Sequence, residues 1–89
     1  MHLIYSRSAA AARAFAHDEA LMPGDWKWIQ DADTVRQYPR AHISKLPRWQ
    51  ENPHRAWIDV ALQRAADAHR LGPLTDLETG GETLGISGA

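Results

Sequence analysis

Leu3-Ile4-Tyr5 is a short, unbroken apolar run, followed by Ser6-Arg7-Ser8 and then by residues 9–21 without Gly or Pro. An apolar run without alternation predicts a strand buried on both faces, turning directly into a helix. Ser8 is the expected N-cap, because its hydroxyl can accept from a free amide of the first turn. Ala11 or Ala12, Phe15 and Ala16 recur at helical spacing, so this helix presents a narrow alanine face with one large anchor. Pro23-Gly24-Asp25 ends it. Trp26-Lys27-Trp28-Ile29 then places aromatics at period two and predicts a second strand. Asp31 or Asp33 can cap a short helix over residues 34–38, which Pro39 halts. Residues 41–46 alternate small or apolar with polar side chains and predict a third strand, closed by Pro47. Asn52-Pro53, an N-cap followed by proline, opens a long helix to Leu71, ended by Gly72-Pro73. Its stripe comprises Trp57, Ile58, Ala61, Leu62, Ala65 and Ala68.

The order strand, helix, strand, short helix, strand, long helix predicts an α/β domain over residues 1–71. Its core element is a small three-stranded parallel sheet, order 2-1-3, with helices packed on it. The first strand is central because it is the most apolar. Residues 72–89 hold five of the six glycines and three acidic residues with no Lys or Arg. They read as a flexible, Gly-rich acidic tail, with a weak strand at residues 83–86 as the alternative.

Composition narrows the picture further. Fifteen of 89 residues are alanine, so core volume depends on four Trp, one Phe, two Tyr and the branched aliphatics. A core this light suits a domain that self-associates, so a homodimer is among the expected partners. The net charge of −1 excludes a generally basic nucleic-acid binder. Absence of cysteine excludes a disulfide scaffold, a thiol nucleophile and thiolate metal sites. No apolar stretch approaches a membrane span, and the first residues lack a signal-peptide pattern, so the expected location is the cytoplasm, without membrane attachment.

Few residues suggest chemistry. Ser6-Arg7-Ser8 sits where a doubly wound fold binds phosphate, between a strand end and a helix start, yet the turn has no glycine to bring backbone close to a nucleotide. The bland reading is a capped helix with an exposed arginine. His2, His17, His42, His54 and His69 fall at no metal-ligand spacing, so no metal and no cofactor is expected. Ser6, Ser8, Ser44 and Ser87 lack a nucleophile elbow, and no catalytic residue is assigned. One charge asymmetry stands out: between Arg36 and Arg55 there are five basic residues against Glu51 alone, with Trp49 among them. The expected partner-binding residues are Arg40, Lys45, Arg48, Trp49, His54 and Arg55. Such a patch suits a protein partner, since Trp and Arg dominate binding hot spots, or a nucleic acid, whose phosphates and bases they can track and stack. Ordinary solvated surface, or cover by the acidic tail, are the plainer readings. Trp26 and Trp28 share one strand face, where Trp57 could meet them in the core.

Leu3-Ile4-Tyr5-Ser6-Arg7-Ser8, the alanine-rich helix, Met22-Pro23-Gly24-Asp25-Trp26-Lys27-Trp28-Ile29, Asp31-Ala32-Asp33 and the segment from Arg48 to Arg55 together resemble small accessory proteins of bacteriophages that infect actinobacteria. The likeness spans roughly residues 3–70, while Gln30-Asp31 and the glycine-rich end depart from it. It implies an α/β fold and a host-cytoplasmic setting, and it transfers no catalytic residue. The resulting expectation is a noncatalytic protein that binds a host macromolecule, most simply a host protein. Nucleic-acid binding by the same patch, or a phosphate- or nucleotide-binding enzyme at Ser6-Arg7-Ser8, are the alternatives.

Overall fold

The computed structural model describes residues 1–77. Among the described residues, four strands and three α-helices follow one another as β1 (His2–Tyr5), α1 (Ala9–Asp18), β2 (Trp26–Trp28), α2 (Ala32–Gln37), β3 (His42–Lys45), α3 (Arg55–Asp67) and β4 (Leu74–Asp76), with a 3-10 turn at Trp49–Glu51. All strand pairs are parallel and the order is β2-β1-β3-β4.

β1 is buried on both faces, which explains why its apolar run does not alternate. Leu3 and Tyr5 point to the side of α2 and α3, where they meet Ile29, Val35, Ile43, Ile58 and Leu62. Ile4 points the other way, into a smaller cluster with Ala12, Ala16 and Leu46, flanked by Phe15, Trp26 and Trp28. The alanines of α1 leave room for the helix to lie close to the sheet, and the two half-buried β2 tryptophans fill the remaining volume. Trp57 does not join them. It lies on the opposite side of the sheet and is 69% exposed.

The three-stranded sheet expected from the sequence is corrected to four strands. Leu74 and Thr75 are exposed, so β4 has no buried stripe to betray it; backbone bonds to β3 hold it instead. The Ile43 amide donates to Pro73 O at 2.8 Å and the Leu77 amide to Lys45 O at 2.9 Å. Pro73 is tolerated there because β4 is an edge strand. Gly72 permits the approach: a Cβ there would sit 2.3 Å from Ala41 O. The tail beyond Leu77, including residues 83–86, lies outside the described residues.

The helix ends differ from expectation in an instructive way. Ser8 caps α1, accepting from the Ala11 amide at 3.2 Å, and Asp31 caps α2, accepting from the Thr34 amide at 3.1 Å. α1 stops at Asp18 and α3 at Asp67, each several residues short of the next Gly or Pro. Both close with the same pair of bonds. Leu21 and Arg70 amides reach back to Ala16 O and Ala65 O, while Ala20 and His69, at positive φ, bond His17 O and Ala66 O. Non-glycine residues therefore do the work usually given to glycine.

Asn52 is not the N-cap of α3, which starts three residues later. Its side chain is buried and ties three segments together. Nδ2 donates to Ser6 O and to Ile29 O, both at 3.0 Å, and Oδ1 accepts from the His54 amide at 2.8 Å. One amide thus joins the residues after β1 and β2 to the start of α3.

At the opposite edge of the sheet, the rings of His2 and His42 stack at 4.6 Å, and His2 Nε2 lies 2.8 Å from Ser44 Oγ. Phe15 meets His2 edge-on from α1, and Thr75 Oγ1 lies 3.4 Å from His42 Nε2. Burial chiefly, then the His42 charge, pulls the His2 pKa below its ordinary value of 6.5, with Glu19 opposing and the amino terminus adding a small push downward.

Two predictions follow from these contacts. Asn52→Ala should lower the unfolding free energy by about 2–3 kcal/mol, because it strips buried carbonyls of their donor; urea denaturation measures it. Because folding disfavours protonated His2, the unfolded chain binds more protons below 6.5. Stability should therefore be complete above that pH and fall as acid is added toward the lower folded value. Melting curves between pH 7.5 and 5.5 should show a smaller decline in His2→Gln than in the wild type.

Candidate functional site

β1 lies between β2 and β3, and the chain leaves the carboxyl ends of β1 and β3 toward opposite faces of the sheet. A ligand crevice in an open α/β sheet opens at such a reversal. Here the lips are Ser6-Arg7-Ser8 and the segment after Lys45.

On the first lip, both serine hydroxyls are spent on the turn. Ser6 is fully buried and its Oγ donates to Ser8 O at 2.8 Å, while Ser8 Oγ caps α1. Ser6 O accepts from Trp28 Nε1 at 3.2 Å as well as from Asn52. Arg7 is exposed and Ser8 partly so. On the second lip, Arg48 holds a left-handed backbone conformation and its guanidinium grips Glu51 through two bonds, 2.6 and 3.0 Å. That grip, with a smaller contribution from Arg7, holds the Glu51 carboxyl below the usual carboxylate range.

Behind this lip, Trp49 is half-buried and its ring lies 5.1 Å from that of Tyr5. Lys45 Nζ rests 3.8 Å from the centre of the Trp49 ring, a cation–π contact that fixes both side chains. The Tyr5 hydroxyl donates to Asp59 Oδ1 at 2.8 Å. Burial first, and that carboxylate second, push the phenol well above its ordinary range, so Tyr5 stays protonated as a structural donor. Arg55 and Asp59 stand on the same side of α3, one turn apart.

Of the six residues expected to form one patch, Lys45, Arg48, Trp49 and Arg55 gather at this carboxyl edge. Arg40 does not. It precedes β3 at the opposite edge, where its amide donates to Arg70 O at 2.7 Å and its guanidinium approaches His69 O at 3.5 Å. A strand separates the two groups, so closeness in sequence became distance in space. His54 turns toward α2 and lines a depression with Asp31, Arg36, Trp57 and Arg64. Among the described residues, no three or more His, Asp or Glu side chains converge on a point that could hold a metal ion, and no helix is long and apolar enough to cross a membrane.

The sequence reading missed the exposure of Trp57 and the depression beside it. A signal existed: the buried residues of α3 are Ile58, Ala61 and Leu62, and Trp57 stands about 100° from Ile58, at the margin of that stripe. Compared with known proteins, the chain matches no family model, no curated protein and no solved structure.

The two tryptophans of this region should separate cleanly. Trp49→Ala should cost about 2 kcal/mol, since it removes packing on Tyr5 and the Lys45 contact. Trp57→Ala should stay within about 0.5 kcal/mol of the wild type. Paired urea titrations of the variants measure both.

Proposed function

We propose that this protein is a noncatalytic binding protein of the bacteriophage accessory kind, acting in the host cytoplasm on a host protein. The contact is the surface at the start of α3, where His54 and Trp57 lie one turn apart and line one depression with Arg36 and Arg64. The observation that carries this reading is Trp57. A chain with few large side chains leaves its largest type 69% exposed on a regular helix, where it adds little to the core. Tryptophan and arginine on an accessible surface are the residues most enriched among binding hot spots. Trp49 is less suited to be the anchor, because Tyr5 and Lys45 already engage it.

The noncatalytic reading is supported by the state of the polar groups at the crevice. Ser6 and Ser8 hydroxyls serve the turn, and the Tyr5 hydroxyl serves Asp59. A protein partner is favoured over a nucleic acid because the expected phosphate track is broken. Arg40 lies at the far edge, and Glu51 neutralises Arg48.

The immobilised chain should recover a discrete protein from nuclease-treated actinobacterial lysate. Trp57→Ala should abolish that recovery, and Arg13→Ala, at an exposed residue of α1 on the other face of the sheet, should leave it intact. Unchanged recovery with Trp57→Ala, or recovery that nuclease removes, would overturn the proposal.

A further inference from the structure

We infer that the groove between α2 and α3 is the seat for an acidic, amphipathic helical segment of the partner. This inference rests on the protein-binding reading above and gives the partner its chemistry. Two adjoining depressions, about 350 and about 420 Å³, share Arg36, Ala61 and Arg64 among their walls and so form one continuous trough. It starts at His54 and Trp57 and runs to Arg40 and Arg70. α3 supplies one wall over this whole stretch. At 1.5 Å per residue it offers roughly 20 Å, the length of a helix of about 13 residues.

Charge complementarity names the occupant. Arg40, Arg64 and Arg70 line the trough with no ion pair among the described residues, beside Arg36, which is paired with Asp33, in a chain whose net charge is −1. The carboxylates that also line it are committed: Asp33 pairs with Arg36, and Asp31 caps α2 while accepting from Thr34 Oγ1. Asp67, the nearest acid at the far end of α3, takes its bond from Gln63 at 3.0 Å. Arg64 and Arg70 are exposed and lie on this one rim. Anionic side chains on a partner would meet them as charge-assisted bonds, bidentate where geometry allows.

The floor decides between a peptide and a nucleic acid. Val35, Ala61 and Ala65 form the bottom, and Trp57 and Val60, both exposed, close the upper end. An apolar floor between charged rims matches a helix with apolar residues at i, i+4 and i+7 and acids on both flanks. A phosphodiester strand would gain from the rims alone.

The test uses the full chain and a fluorescein-labelled 14-residue helical peptide with Leu at those three positions and Glu on both flanks. Fluorescence anisotropy should report saturable binding. The double variant Arg64→Glu/Arg70→Glu should weaken it by about tenfold or more, and Trp57→Ala should also weaken it. Circular dichroism melting confirms that these surface variants fold. A Lys-flanked version of the peptide should bind no better than background. The inference is overturned if the Glu peptide shows no saturation at millimolar protein, or if the charge-reversed double variant binds it as the wild type does. It is overturned also if a 14-nucleotide oligothymidine binds more tightly through the same arginines. Should the double variant still recover the lysate protein while Trp57→Ala does not, the trough fails as the seat and the broader binding reading stands. Should no protein be recovered while the peptide binds with the expected sensitivity, the host-protein reading fails and the trough's preference for acidic helices stands.

Discussion

The carboxyl end of this sheet depends on a single buried amide. A parallel sheet leaves carbonyls unpaired where its strands end, and here the segment between β3 and α3 brings a side chain to them. Asn52 supplies two donors to Ser6 O and Ile29 O from one nitrogen, and its oxygen receives the His54 amide. The cost of leaving such groups buried without partners is comparable to a large part of a small domain's net stability. Asparagine suits the position because one planar group offers two donors and an acceptor. Aspartate would present its charge to two carbonyl oxygens.

Fixing Asn52 fixes what surrounds it. The 3-10 turn before it sets Trp49 against Tyr5, which brings Lys45 onto the indole face. The helix after it starts with Arg55, places Ile58 and Leu62 in the core and leaves Trp57 outside. The aromatic that is needed for packing and the aromatic that is free to meet a partner are thus sorted by which side of Asn52 they occupy. The arginines follow the same geometry. Arg48 at the carboxyl edge and Arg36 in the trough each pair with an acid three residues away, whereas Arg64 and Arg70 are exposed along the trough.

The opposite end of the sheet is organised by different forces. Stacked imidazoles, a buried serine and the close passage of Gly72 over Ala41 hold the strand starts together. Phe15 of α1 packs edge-on against His2, so the protonation state of His2 bears directly on the fit of α1 against β1.

Much of this was legible in the amino-acid order. The unbroken run Leu3-Ile4-Tyr5 marks a doubly buried strand because only such a strand lacks polar alternation. Ser8 and Asp31 mark helix starts because their side chains complete bonds within a few residues. Those are local effects, and local sequence determines them. β4 was not legible, since it is held by backbone bonds to β3 and any exposed three-residue segment could have made them. Nor was the split of the basic patch: residues 40 and 45 are neighbours in the chain, but an extended strand carries them to opposite edges. The fates of Asn52 and Trp57 were decided last. One turned inward and the other outward because the ends of β1 and β2 needed a donor at that point, a demand that exists only once the strands have come together.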